Sequence, residues 1–246
     1  MKQLVCVSKT PDTTTNIKLA DGGNAIDSTG VNYILNPYDE WYALVRAVEL
    51  KAEAGGTITA INVGDSSNDT VIRKALAIGA DDAVRVDMQP ENALSVAKAI
   101  ADHARDGNYD IIYLGKESID YNGSQVGAMV AEYLDLPYVG LGMHMDVAGN
   151  TATIKRDIAG GTETVEVNTP FVLSCAKGMA EQRIPNMRDI MGSKRKPINV
   201  VAGENSHTTT LVNSYDLPPI KAGVKMIDPD NMDELVRLLK EEAKVL

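Results

Sequence analysis

Residues 110–134, DIIYLGKESIDYNGSQVGAMVAEYL, hold the side chains best suited to binding a ligand. Glu117, Ser118, Asp120, Asn122, Gly123 and Ser124 lie between an apolar run, 110–115, and a segment whose apolar positions 126, 129, 130, 133 and 134 share one helical face. A short β-branched run ended by a glycine predicts a strand covered on both faces. Parallel α/β sheets bind ligands beyond the carboxyl ends of their strands. The first turn of the following helix offers unpaired N–H groups and a positive dipole end, which suit a phosphate. Gly123 and Gly127 would let a ligand come close to the backbone. The same residues also fit an ordinary strand-to-helix connection capped by Asn122 or Ser124, and the loop alone does not choose between the two.

Other chemistry has little support. His103, His144 and His207 are scattered, with no metal-ligand spacing to another His or Cys. There is no G-x-x-x-x-G-K-[ST] loop and no G-x-S-x-G elbow. Cys6 and Cys175 lie in or beside apolar runs and read as buried free thiols of a reducing compartment rather than a disulfide. The pattern points to a binding protein rather than a hydrolytic enzyme. A net charge of -10 argues against nucleic acid or an anionic membrane as partner, and the 4% aromatic content argues against a base-stacking platform. No apolar run approaches the roughly 20 residues of a membrane span, so no membrane insertion is expected. The N-terminus, MKQLVCVSK, enters a strand at once without a signal-peptide layout, which makes a cytoplasmic or organelle-matrix setting the expectation.

The elements that must position the loop alternate from residue 4 to 134. Residues 4–8, 58–63 and 83–86 are strand candidates. Asn36 and Pro37 predict a helix start, as N-cap and first helical residue, with Asp39 and Glu40 in the first turn. Tyr38, Trp41, Val45 and Val48 form its apolar stripe, and Gly55-Gly56 ends it. A second helix is expected over about 68–76, closed by Gly79, and a third through Ala93, Val96, Ala97, Ile100, Ala101 and Ala104. This order predicts a doubly wound α/β fold, with right-handed crossovers, a mainly parallel sheet and helices on both faces. After Pro137, segments 143–147, 151–157 and 163–167 alternate apolar with polar residues between Gly149-Asn150 and Gly160-Gly161, the mark of antiparallel hairpins. Residues 171–175 are a further strand. Residues 177–197 show no simple period. Residues 203–219 read as an extended arm, leading to an amphipathic helix through Met232, Leu235, Val236, Leu239 and Ala243 that suits docking on a partner. The expected division is a nucleotide-binding domain over 1–200 and an arm-and-helix segment over 201–246.

Six segments then occur in one order: Asn36-Pro37-Tyr38-Asp39-Glu40; ALAIGAD at 75–81; GKESID at 115–120 with Gln125-Val126-Gly127; RDIAGGTE at 156–163 running on to Pro170; RIPNMRDIMGSKRKP at 183–197; and Ala222-Gly223-Val224-Lys225. Through them the chain resembles the β subunit of electron transfer flavoproteins over essentially its full length. The resemblance implies half of a heterodimer, in which an α subunit holds most of an FAD, the β subunit closes over its flavin end, and β buries an AMP. Electrons would arrive from acyl-CoA dehydrogenase-type flavoenzymes and leave to a quinone reductase or other acceptor, with no reaction catalysed by β alone. Carried over by position, the nucleotide contacts fall at Cys6, Asn36, Pro37, Tyr38, Asp39, Val63, and along 115–126, including Gly115, Asp120, Gly123, Ser124, Gln125 and Val126. Tyr38 matches an aromatic residue near the flavin; from spacing alone it is equally a first-turn residue facing the core. Residues 183–197 match the partner-docking loop, with Met187, Arg188 and Ile190 at its centre and Met187 where the family carries an anchoring Leu. Lys194-Arg195-Lys196 is by itself an ordinary solvated cluster.

Three departures from the family patterns stand out, of which the first two bear on the ligand. Val126 and Ala128 stand where the AMP-binding pattern has Thr and Gln, so a hydroxyl to the phosphate is lost. Gln125-Val126-Gly127 is shared with electron-bifurcating relatives, which place a second FAD in the crevice, but Ala128 and Gly123-Ser124 depart from their pattern. Ala159 replaces an acidic residue in a hairpin turn. Two further classes have less support. A universal-stress-type module would lack the hairpins and tail. An ATP pyrophosphatase relative would need Ser-Gly-Gly where Ser8-Lys9-Thr10-Pro11 stands.

Overall fold

The computed structural model describes residues 1–204, 210–221 and 223–246. His207, Ala222 and the middle of the expected arm lie outside the described residues. The elements, in chain order, are β1 (Lys2–Cys6), β2 (Lys9–Pro11), β3 (Tyr33–Leu35), α1 (Asp39–Ala54), β4 (Thr57–Val63), α2 (Asp69–Ile78), β5 (Asp82–Asp87), α3 (Ala93–Arg105), β6 (Ile111–Gly115), α4 (Val126–Leu134), β7 (Tyr138–Ala148), β8 (Thr151–Ile158), β9 (Gly161–Asn168), β10 (Phe171–Cys175), α5 (Met187–Ser193), β11 (Ile198–Ala202) and α6 (Met232–Glu241). One sheet runs β11-β5-β4-β1-β6-β10-β7-β8-β9. Every ladder from β11 to β7 is parallel, and β7–β8–β9 is an antiparallel meander. This is the α/β architecture expected, with the hairpins appended to one edge. The chain divides into two compact units: Met1–Ile17 with Asp27–Asn213, and Lys18–Ile26 with Ser214–Leu246. In the second, Tyr215 N–H donates to Gly23 O at 2.8 Å, and α6 is capped by Asn231, whose side chain accepts from Glu234 N–H.

The two faces of the sheet are read from the period of two in its central strands. Val5, Ile111, Tyr113, Phe171 and Leu173 pack with α1 and α2 in one core. Leu4, Cys6, Ile112, Leu114 and Val172 pack with α3 and α4 in the other. Apolar residues on both sides of each strand explain why β1 and β6 read as continuous apolar runs. A buried polar chain ties α1 to the sheet: Tyr113 Oη donates to Gln3 Oε1 at 3.0 Å, and Gln3 Nε2 donates to Ala47 O at 3.1 Å.

Several expectations are corrected. Asn36 does not cap α1: the helix begins at Asp39, Tyr38 holds the N-cap position with φ 65°, and Pro37 precedes the helix. The reason is that both polar groups of the Asn36 amide are already engaged elsewhere, as described below. Helix α2 continues to Ile78, where Gly79 ends it. Residues 177–197 contain α5, opened by a reciprocal capping box between Asn186 and Asp189. Strands β2, β3 and β11 are short and carry no alternation of their own. Strand β11 exists because β5 offers it a parallel edge from Ala83 to Asp87.

Tyr113→Phe keeps the packing but leaves Gln3 Oε1 buried without its donor. The expected loss is about 1–2 kcal/mol, read as a lower urea midpoint at unchanged slope.

Candidate functional site

From β1 the chain crosses to β4 on one side, while β6 lies on the other. The strand order therefore reverses between β1 and β6, the switch point at which α/β sheets carry a ligand crevice beyond the carboxyl ends of the strands. The end of β6 would form its floor. An added Cβ at Gly115 would lie 2.8 Å from Glu40 Cγ, 2.9 Å from Glu40 N and 3.1 Å from Asp39 Cβ, so Gly115 is what lets the N-terminus of α1 cross here.

Asn36, fully buried, fixes the wall. Its Nδ2 donates to Glu117 O at 3.0 Å, and its Oδ1 accepts from Ile119 N–H at 3.1 Å. Lys116 N–H donates to Cys175 O at 2.8 Å, which ties the same loop to β10. Beyond the clamp, residues 120–125 are exposed, with Asn122 and Ser124 in the left-handed region at φ 49° and 50°. Ser124 Oγ donates to Glu117 Oε2 at 3.0 Å, and Lys116 pairs with Glu117 at 2.9 Å. That pairing holds the Glu117 carboxyl below its ordinary range. Neither Asn122 nor Ser124 caps α4: Gln125 is its N-cap residue, and no side chain bonds to the first turn among the described residues. The ordinary capped connection is thus not what the structure shows.

The other predicted contacts divide by depth. Cys6 is buried in the core beneath α3 and α4, and burial pushes its thiol well up, so the backbone is what it can offer the crevice. Val63 ends β4 and packs on the same core. Asp39 is raised chiefly by burial, with Lys116 opposing. Asp120 and Gly123 lie on the exposed part of the loop, and Val126 is half-buried. Tyr38 is 58% exposed at a positive φ, which removes the reading that it faces the core. A Cβ at Gly127 would come within 3.0 Å of the Tyr138 ring, so packing against Tyr138 also requires its smallness.

Two features had not been read from the sequence. Asn62 bridges the strand ends, its Nδ2 donating to Val7 O at 2.8 Å and its Oδ1 accepting from Asn68 Nδ2 at 2.8 Å. Glu40, expected only to complement the helix dipole, is buried, and burial raises its carboxyl to about 7, against hydrogen bonds from Ser8 N–H at 2.7 Å and Ser8 Oγ at 2.6 Å. An acidic residue directly after the helix entry was the only signal available.

The predicted docking residues are not in the crevice. They lie on α5, which packs on α2. Met187 is 72% exposed and Arg188 is exposed; Ile190 lies partly open on the same short helix. Asn186 and Asp189 cap the helix reciprocally. Between α5 and the end of α2 is a cleft of about 680 Å3 lined by Lys51, Leu76, Asp81, Arg188, Arg195 and Lys196. Among the described residues no cluster of His, Cys, Asp and Glu is placed to hold a metal, and no helix is long and apolar enough to cross a membrane.

The model of the electron transfer flavoprotein domain matches residues 23–205. The chain belongs to the electron transfer flavoprotein family. The match extends beyond that domain. The chain is 36% identical to the electron transfer flavoprotein subunit beta of Syntrophomonas wolfei, across all of this chain and 98% of that one. It is 32% identical to that of Bacillus subtilis over the whole of both, and 30% identical to that of Homo sapiens over all of this chain and 99% of that one. Electron transfer flavoprotein beta subunits carry electrons as one part of a two-subunit protein, and the fold described here is a member of that group.

Glu40 gives the family fold a pH dependence. Because its folded pKa is raised, its contribution to stability is full below about 4.5 and is lost as pH rises through about 7. Glu40→Gln, a neutral mimic able to keep bonds to Ser8, should remove this slope. Relative to the wild type it should gain on the order of 3 kcal/mol between pH 4.5 and pH 8, measured by urea unfolding across that range.

Proposed function

We propose that this chain is the β subunit of a heterodimeric electron transfer flavoprotein that binds AMP in the β1/β6 crevice and closes over an FAD held mainly by its α subunit. The observation that carries the AMP reading is the uncapped first turn of α4 at the switch point, behind a loop clamped by Asn36. The N–H groups of the first turn of α4, starting at Val126, suit a phosphate. Gly123 and Ser124 line its approach, and the backbone near Cys6 and Val63 suits an adenosine. The flavin, when bound, supplies the electron-accepting ring. Exposed Tyr38, with Pro37 and Asp39 beside it, is the group this chain would lay against it. In the second compact unit Leu217, Ile220, Val224 and Met226 are exposed, which supports a covering α subunit.

The donors are acyl-CoA dehydrogenase-type flavoenzymes, met through α5, and the acceptor is a quinone reductase or similar protein. Met187 is an adaptable apolar side chain presented on a short helix, suited to a transient contact. A second FAD in place of AMP is favoured by Gln125-Val126-Gly127 and opposed by Ala128 and Gly123-Ser124.

Purified αβ complex should contain one flavin per heterodimer and release AMP on denaturation; two flavins, from absorbance against protein mass, would overturn the AMP assignment. Met187→Ala should raise the half-saturating concentration of the complex toward its dehydrogenase by roughly tenfold, a typical anchor loss. The flavin spectrum and melting temperature should not move. Unchanged saturation kinetics would remove Met187 from the interface.

A further inference from the structure

The exposed helix α5 is too short to hold its own orientation. It has seven residues, well below the length at which an isolated helix is stable in water, and Ser193 is its buried member. Its position comes from two side chains on either side of the contact with α2. Arg73, on α2, donates from Nη1 to Ser193 O at 2.8 Å and Lys196 O at 2.5 Å, at the end of α5. Lys196, just past α5, donates from Nζ to Leu76 O at 2.8 Å and Ala80 O at 2.5 Å, at the end of α2. Each helix thus has its terminal carbonyls satisfied by a cation from the other segment, which is favourable for both dipole ends. On the N-terminal side Trp41 Nε1 donates to Arg183 O at 3.1 Å, and on the C-terminal side Ala83 N–H donates to Pro197 O at 3.1 Å.

We infer that Arg73 and Lys196 are positioning residues for electron-donor docking: their reciprocal staple holds α5 at the angle that presents Met187. The inference rests on the reading of α5 as the docking element. It differs from a general stabilising role because the bonds converge on one small helix at the edge of the fold, leaving the crevice and sheet centre untouched. The bonds of Arg73 and Lys196 go to residues 193–196 and to Leu76 and Ala80, not to residues 36–39 or 115–126, so their loss should act on encounter rather than on the electron-transfer step.

The test uses the αβ complex with a partner dehydrogenase. Arg73→Met and Lys196→Met should each raise the half-saturating concentration roughly fivefold to tenfold at an unchanged limiting rate, the split expected when binding alone is weakened. Amide exchange of residues 187–193 should quicken while that of β1 and β6 stays the same. Lys155→Met, which removes one exposed charge on β8 away from α5, should change nothing; an equal loss there would show that charge and not position is responsible, and would overturn the inference. In the Met187→Ala background Arg73→Met should add little further loss, since both act through one contact; full additivity would also overturn it. Should the Met variants fail to assemble, Arg73→Lys keeps one donor and should show the same split at roughly threefold, and no shift there would count equally against the staple. A weakened Met187→Ala beside an unchanged Arg73→Met overturns the staple alone, whereas an unchanged Met187→Ala removes the docking reading itself.

Discussion

The crevice depends on one buried amide. Asn36 has a single donor group and a single acceptor aimed at the loop after β6, and they meet Glu117 O and Ile119 N–H, 81 and 83 residues downstream. A buried amide that lost either partner would carry a desolvation cost, so the two segments are held together or not at all. Since α1 begins three residues after Asn36, the same tie sets the helix entry. It places Tyr38 at a positive φ and presses Glu40 and Asp39 against Gly115. Lys116 N–H on Cys175 O extends the constraint to β10. Three segments distant in sequence thus become one rigid edge.

The charges at that edge are mostly carboxylates: Asp39, Glu40, Glu117 and Asp120. Lys116 is already paired with Glu117. The proposed phosphate would therefore have to be met by backbone N–H groups and a helix end rather than by a basic side chain. That agrees with Val126 standing where a hydroxyl would otherwise be. Burial raises the Glu40 carboxyl to about 7, so it carries less negative charge at this edge than an ordinary carboxylate.

The proposed docking of protein partners would be built differently. The crevice residues lie on the sheet, whereas α5 is a two-turn helix attached to α2 by side-chain bonds to carbonyls and followed by a bond from β5. Exposed Ile184, Met187 and Met191 beside Arg188 and Arg195 give it an apolar point within a basic setting on an acidic protein. In the proposed docking role, such a contact would form and release quickly, as a carrier needs.

The fold class was legible in the sequence because β1, β4, β5, β6 and the faces of α1 to α4 each carry their own period, and a parallel sheet buries both faces of its strands. The hairpins after Pro137 were legible for the same local reason. Strands β2, β3 and β11 were not, since their residues lack a pattern until a neighbouring strand offers an edge. Helix α5 could have been found from Asn186 and Asp189, three residues apart, but its apolar side chains are exposed and so show no core-facing stripe. The polar connection 115–126 between β6 and α4 was visible from its residue types. That Asn36 ties it rather than caps α1, that Gly127 lies against Tyr138, and that burial raises the Glu40 carboxyl were decided only in the tertiary structure. Each depends on which distant groups arrive beside it, and one chain segment cannot specify the partners that satisfy its buried donors and acceptors.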